Sequence, residues 1–220
     1  MTEPRADKVD RDETKGERTR KKLVATTADL LQRQGYHATG LAQIVAESGA
    51  PRGSLYFYFP DGKDQLAVAA LDVSSREWRA RIDAAIDAAA DLGQAAEAVC
   101  RLLADDLADS DYQRGCPVAA VALEAAATSG PVRKAVEGHY AEWSDAIVER
   151  LSKRGMARDQ ARQLATFMLA AVEGALLLAK VQRSREPLLV VGKMLRAMAA
   201  LQPTPPKAKP TKAKSSASRG

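Results

Sequence analysis

The stretch Thr39-Gly-Leu-Ala-Gln-Ile-Val-Ala-Glu-Ser-Gly-Ala-Pro-Arg-Gly-Ser-Leu-Tyr-Phe-Tyr-Phe59 reads as two short helices joined by a tight turn. Leu41, Ile44, Val45 and Ser48 recur at i, i+3, i+4 and i+7, so one face of the first helix is mostly apolar. Thr39 stands where an N-cap is expected, its hydroxyl able to accept from a first-turn backbone N–H. Ala42 occupies the position that a capping box reserves for Glu or Gln. Gly49 follows the last periodic residue and suits the left-handed backbone that ends a helix. Pro51 fits the start of the second helix, where its missing N–H costs nothing. Leu55 and Phe59, four apart, continue the buried side. This is the layout of a helix-turn-helix, whose second helix lies in the DNA major groove.

The outer positions of that second helix are Arg52, Gly53, Ser54, Tyr56, Phe57 and Tyr58. An arginine can bond two guanine acceptors at once. Glycine lets the backbone approach closely. Ser and Tyr hydroxyls suit phosphate oxygens, and an aromatic ring can pack on a thymine methyl. The competing reading makes Tyr56 to Phe59 core aromatics of a helical hairpin. Leu55 and Phe59 fit that description. Four consecutive residues cannot share one side of a helix, so Phe57 and Tyr58 are expected to be partly exposed.

Tyr36-His-Ala-Thr39, Gln43-Ile-Val-Ala46, Ser48 to Phe59 and Lys63 together resemble the DNA-binding domain of the TetR/AcrR family of bacterial repressors. The resemblance runs from residue 18 to residue 70 and coincides at several fixed spacings. Two departures stand out. Pro51 occupies a position where the family usually carries a hydroxyl residue, and Pro60-Asp-Gly-Lys63 is one residue longer than the common link to the lysine. That link, with Gly115-Cys-Pro-Val-Ala-Ala-Val-Ala-Leu-Glu124, is similar to the LmrA/YxaF-like branch. The DNA-facing set is therefore expected to be Thr39, Gln43, Pro51, Arg52, Gly53, Ser54, Tyr56, Phe57, Tyr58 and Lys63. Arg52 is expected to read a base, with Tyr58 and Lys63 on phosphates. The resemblance further implies an all-α chain: an N-terminal three-helix head, then a helical bundle for ligand binding and dimerisation.

The rest of the chain agrees. Its 220 residues are 46% hydrophobic but only 5% aromatic, ample for a core. Alanine is abundant, Gly and Pro sit at boundaries, and no stretch alternates with period two, so no strand is expected. The N-terminus is charged and lacks the apolar segment of a signal peptide. The most apolar run, Ala165 to Val181, contains Glu173 and Lys180 and is short for a bilayer span, so the protein is expected in the cytoplasm. Two cysteines are too few for a disulfide framework or a zinc cluster, and neither metal nor cofactor is expected. Charge is partitioned: 15–63 carry 8 basic and 4 acidic groups, 64–202 carry 17 and 19, and 203–220 carry 5 and none. A basic head and tail flanking a slightly acidic body is the footprint of a DNA-binding protein.

Four segments are expected: a disordered arm at 1–13, the DNA-binding head at 14–63, the body at 64–202 and a disordered basic tail at 203–220. Thr14-Lys-Gly-Glu17 fits a capping box that opens the first helix. Leu23, Val24, Thr27, Leu30 and Leu31 give that helix a buried face, and Gly35 ends it. Arg18, Arg20, Lys21 and Lys22 near its start are either a solvated face or phosphate contacts. The tail is either a solubilising segment or a DNA clamp with salt-dependent affinity.

In the body, Lys63 opens a long helix with Leu71, Trp78, Ile82 and Ile86 at heptad-like spacing. From Ala165 onward, a later helix is apolar on nearly every side and must be covered on two. A second copy of the chain is the expected cover. Ala170, Ala171, Gly174, Ala175, Leu178, Met194, Leu195 and Met198 are the expected dimer interface. Trp78, Cys116, His139, Tyr140, Trp143, Phe167 and Met168 are the expected wall of a ligand pocket, chosen for size and position. Catalytic ingredients are poor: two histidines, no Ser-His-Asp order, no phosphate loop and no HExxH. Cys116 reads as an inert thiol, a redox sensor being the alternative. The function expected is a repressor that binds a palindromic operator as a dimer and is released by a small apolar or aromatic molecule. A nonspecific nucleoid-type DNA-binding protein and a helical-bundle enzyme are the alternatives.

Overall fold

The computed structural model describes residues 14–200. The expected arm at 1–13 and tail at 203–220 lie outside the described residues. Among the described residues there are nine helices and no strand, as expected. They are α1 (Lys15–Ala38), α2 (Leu41–Ser48), α3 (Arg52–Tyr58), α4 (Lys63–Asp87), α5 (Leu92–Asp109), α6 (Pro117–Ala125), α7 (Gly130–Ser152), α8 (Arg158–Gln182) and α9 (Glu186–Ala200).

The capping box opens α1 as read. Glu17 N–H donates to Thr14 Oγ1 at 3.2 Å, and Thr14 N–H donates to the Glu17 carboxylate at 2.7 Å. At Gly35 the backbone leaves the helix with φ 80° and ψ −178°, a conformation that only glycine adopts without strain. A last turn then runs to Ala38.

That kink corrects the reading of Thr39. The residue closes α1 instead of capping α2, whose N-cap is Gly40 with no side-chain bond. Breaking the helix leaves the Gly35 carbonyl without its usual partner, and the Thr39 hydroxyl donates to it at 2.7 Å. The side chain is fully buried, so it offers no surface to a phosphate. Gly49 takes the left-handed conformation, φ 63°, as expected. Pro51 sits one position earlier than read, as the N-cap of α3.

With only seven residues, α3 is too short to hold a helix on propensity. Leu55 within it and Phe59 just beyond are both 1% exposed, and they pin it to the core. Each such burial is worth roughly 1.5–3 kcal/mol. The core around them joins Leu23, Leu31, Ile44, Leu66 and Leu71 to Val118, Val121 and Ala125 of α6 and Val132 and Val136 of α7. One cluster therefore crosses the expected boundary at 63/64, and α4 runs through that boundary unbroken.

A second cluster gathers α5, α8 and α9 around Leu103, Leu107, Leu176, Ala179 and Leu188. Here α5 and α9 approach closely: a Cβ on Gly192 would lie 2.9 Å from Cys100 Cβ and 3.3 Å from Glu97 Cα. A third cluster joins Val148 and Leu151 of α7 to Ala161 and Ala165 of α8.

The apolar α8 splits into two faces. Ala161, Ala165, Ala175, Leu176 and Ala179 point inward, whereas Phe167, Leu177, Leu178 and Val181 are exposed, together with Val190 and Met194 of α9. Ala170 and Gly174 are also exposed, and Ala171 and Met198 are half-buried. Two expected interface residues are corrected. Ala175 (3% exposed) and Leu195 (6%) face the chain's own core. The helical turn of about 100° per residue puts Ala175 with Ala179, away from Gly174 and Leu178. Among the described residues, α8 is also the one helix long and apolar enough to cross a membrane.

Candidate nucleic-acid interface and ligand cavity

The outer face of α3 is free of packing. Arg52, Gly53, Tyr56 and Phe57 are exposed, Phe57 by 78%, and Ser54 is half-exposed. Pro51 is exposed at the N-terminal end. Tyr58 turns back toward α1: its ring meets Phe57 edge-on at 4.9 Å, and a Cβ on Gly16 would lie 2.7 Å from its hydroxyl. Gln43 is half-buried, donating to Glu47 at 2.8 Å and accepting from Gln34 at 2.9 Å. Lys15, Arg18, Arg20 and Lys22 are exposed along the first turns of α1. The Arg20 guanidinium lies 5.3 Å from the Phe59 ring centroid, which ties this basic rim to the end of α3.

Lys63 has another partner already. Its ammonium sits 4.2 Å from the Tyr36 ring centroid, and burial there pulls its pKa down against the opposing pull of Glu124 and Asp64.

A polar joint ties α1 to α4, α6 and the start of α7, and the sequence reading does not contain it. The Tyr36 hydroxyl donates to Asp64 Oδ1, and the Ser129 hydroxyl donates to Asp64 Oδ2 at 2.6 Å. These bonds, Ser129 first and Tyr36 second, hold the Asp64 carboxyl below the usual carboxylate range. On α6, Glu124 accepts from the His37 backbone N–H at 2.6 Å, and its own carbonyl lies 3.1 Å from His37 Nε2. A Cβ on Gly35 would lie 2.7 Å from Glu124 Cδ and closer still to Oε1. Glycine at 35 thus serves both the kink and the seat of Glu124.

The other end of α6 meets a cavity of about 190 Å³ inside the body. Cys116, Pro117 and Val118 form one wall; Trp78 and Ile82 of α4, Val99 and Leu103 of α5, Tyr140 and Trp143 of α7 and Met168, Val172 and Leu176 of α8 form the others. Five of the seven expected wall residues therefore meet here: Trp78, Cys116, Tyr140, Trp143 and Met168.

Two do not. His139, one position from Tyr140 and so about 100° around α7, lines a separate cleft of about 70 Å³ with Ser75, Arg76, Arg79 and Trp143. Its Nε2 lies 3.2 Å from Asp72 Oδ1 without hydrogen-bond geometry, and neither ring nitrogen has a hydrogen-bond partner. Phe167 is turned outward on the exposed face of α8, for the same rotational reason relative to Met168.

Charged groups also reach the cavity. Arg79 and Arg150 both pair with Asp83, at 2.9 and 2.5 Å; Arg114 pairs with Asp29 at 2.5 Å; Asp106 pairs with Arg81 at 2.6 Å. Glu173 accepts from the Tyr140 hydroxyl at 3.2 Å and has no ion pair among the described residues. Burial raises its pKa, partly offset by Cys116 and Tyr140. The Cys116 sulfur accepts from Ala119 N–H at 3.4 Å and so caps α6. Burial first, then the neighbouring Glu173, pushes its thiol pKa far up. A thiol held protonated is a poor nucleophile. Cys100 is pushed up to about 11, mainly by burial. Among the described residues no group of three or more His, Cys, Asp or Glu side chains could hold a metal ion.

Residues 23–70 match the model of the bacterial regulatory proteins of the tetR family, and residues 93–194 match the C-terminal domain of LmrA/YxaF-like transcriptional regulators. The HTH-type regulator YxaF of Bacillus subtilis is 34% identical over 177 residues, covering 80% of this chain and 93% of YxaF. LmrA, the HTH-type transcriptional regulator of the same organism, is 35% identical over 171 residues, covering 78% of this chain and 91% of LmrA. A TetR transcriptional regulator of Chloroflexus aurantiacus, known from its crystal structure, is 29% identical with a TM-score of 0.72, over 86% of this chain and 97% of the other. These similarities span head and body together, so the chain is a transcriptional regulator and not an enzyme, and it belongs to the TetR family, with an LmrA/YxaF-like C-terminal domain.

Proposed function

We propose that the protein is a cytoplasmic repressor that binds a palindromic operator as a homodimer and is released by a small, largely apolar molecule. The observation that carries this reading is the reach of α6, which walls the cavity at Cys116–Val118 and grips the head through Glu124 at Gly35 and His37. A molecule that enters the cavity and needs more room moves α6, and α6 moves the head. It acts only through its differential affinity for the two head positions. Arg52 reads a base edge from the first turn of α3, with Ser54, Tyr56 and Phe57 beside it. Tyr58, Gln43 and the basic rim of α1 serve the backbone.

The exposed apolar face of α8 and α9 supports the dimer. Inserting α8 in a bilayer would strip Ala165, Leu176 and Ala179 from their packing and carry Glu173 and Lys180 into hydrocarbon. A second copy covers the same face at no such cost. The test is to select bound sequences from random DNA, then titrate the selected site against random DNA while light scattering reports mass. A two-fold symmetric site bound by a dimer is expected. Equal affinity for all DNA would instead favour a nonspecific binder, and a monomer at micromolar concentration would remove the dimer.

A further inference from the structure

We propose that the cavity selects ligands that carry a positive charge on a flat apolar frame, with Glu173 as the counter-ion. The proposal rests on the cavity being the inducer site. Glu173 lies midway along α8 and lines a space otherwise walled by Trp78, Trp143, Met168, Val172 and Leu176. Each of the other charged side chains on that wall is in an ion pair: Arg79 and Arg150 with Asp83, Arg114 with Asp29, Asp106 with Arg81. Glu173 alone on the wall has none among the described residues, and its carboxyl is met only by neutral donors, the Tyr140 hydroxyl and the Cys116 thiol.

A carboxyl removed from water without a cation carries an unpaid desolvation cost. A hydroxyl and a weak thiol donor offset part of it, bring no charge and leave other lone-pair positions on the carboxylate unfilled. A ligand ammonium supplies the missing charge where salt screens little and the local dielectric is low. A neutral ligand of the same shape gains only the apolar contacts. An anionic one adds a like charge beside Glu173. The two indoles, each carrying a guanidinium over one side of its ring (Arg81 on Trp78, Arg79 on Trp143), add broad apolar ring surface to the wall for a fused aromatic frame. Specificity then comes from the group left unpaired whenever the wrong ligand enters.

Isothermal titration calorimetry reads the binding of each probe directly. Naphthylmethylammonium, methylnaphthalene and naphthoate share one ring system and differ in charge. Titrated into the full-length protein, the ammonium compound should bind at least about tenfold tighter than the hydrocarbon, with naphthoate weakest. Glu173→Gln keeps the shape and a hydrogen-bonding amide but loses the charge. In that variant the ammonium advantage should shrink to under about threefold, with methylnaphthalene changed by less than about twofold. Circular dichroism melting confirms that the variant is folded; if it is not, the order of the three probes in the unaltered protein still decides the matter. Equal binding of all three probes, or an ammonium advantage that survives in Glu173→Gln, overturns the counter-ion and leaves the cavity as a binding site. Failure of every probe to bind removes the cavity reading itself.

Discussion

The grip of α6 on the head yields a number. In Gly35→Ala the new side chain must adopt φ near 80° and ψ near −178°, a region occupied essentially by glycine, at a cost of about 1–3 kcal/mol. Its Cβ also displaces the Glu124 carboxyl, which forfeits the 2.6 Å bond from His37 N–H. Hydrogen bonds to a charged group contribute about 1.5–3 kcal/mol, and partial exposure here reduces that to about 1–2. The sum is about 2–5 kcal/mol, or a fall in melting temperature of roughly 4–20 °C for a chain of this size. Glu124→Ala removes only the second part and should cost about 1–2 kcal/mol. Since Gly35→Ala already expels Glu124, the two costs must not add: the double variant should match Gly35→Ala to within about 0.5 kcal/mol. Urea denaturation of the four proteins measures this cycle. Strict additivity refutes the shared contact, and a Gly35→Ala cost under about 1 kcal/mol refutes the strain.

Other expectations follow from the same joint and from the reading face. Asp64→Asn places an amide before two donors, Ser129 and Tyr36, and should cost about 1–3 kcal/mol at pH 7. The Asp64 carboxyl titrates below its ordinary 3.8, so its stabilisation is present above that pH and is lost as pH falls through the depressed value. Melts from pH 7 down to about 3 should therefore show the variant's deficit shrinking; a constant deficit would mean that charge plays no part. Arg52→Ala should cost about 1–3 kcal/mol per half-site and relax preference at one base position, measured with operator variants. An unchanged base preference would transfer the reading role to Ser54 or Phe57. Lys63→Ala should weaken all DNA alike and also lower stability by about 0.5–1 kcal/mol, because the ammonium sits on the Tyr36 ring. Cys116→Ser should leave DNA binding intact and insensitive to peroxide; a peroxide response lost in the variant would reinstate a redox role for that thiol.

Local signals carried much of the fold. The capping box at Thr14, the left-handed Gly49 and the buried pair Leu55 and Phe59 are properties of a few neighbouring residues, and each stands where the sequence implied. The role of Thr39 follows from the kink at Gly35, which packs closely on Glu124, 89 positions further along the chain. No periodicity encodes a contact of that range. The same holds for Asp64, Tyr36 and Ser129, which meet only once α1, α4 and the start of α7 are packed. Residue size does not fix rotation about a helix axis, so the expected cavity wall is off by single steps at His139 and Phe167. Glu173 is legible as the lone acid of the apolar run 165–181, where its plainest consequence is poor membrane insertion. An acid that interrupts a buried face is also a sign that the face borders a space.

The seven residues of α3 divide in a way that matters over generations. Leu55, with Phe59 beyond the helix end, bears its attachment, while Arg52, Gly53, Tyr56 and Phe57 are exposed and take no part in the core. Substitutions on the outward set are close to neutral for folding, as surface changes generally are. A duplicated copy of such a gene can therefore drift to a new operator through a handful of changes without passing through an unfolded intermediate. The Gly35–Glu124 joint has no comparable latitude, since either partner alone is a poor substrate for change. Descendants should diverge fastest in which site they occupy and slowest in how the head is tied to the body.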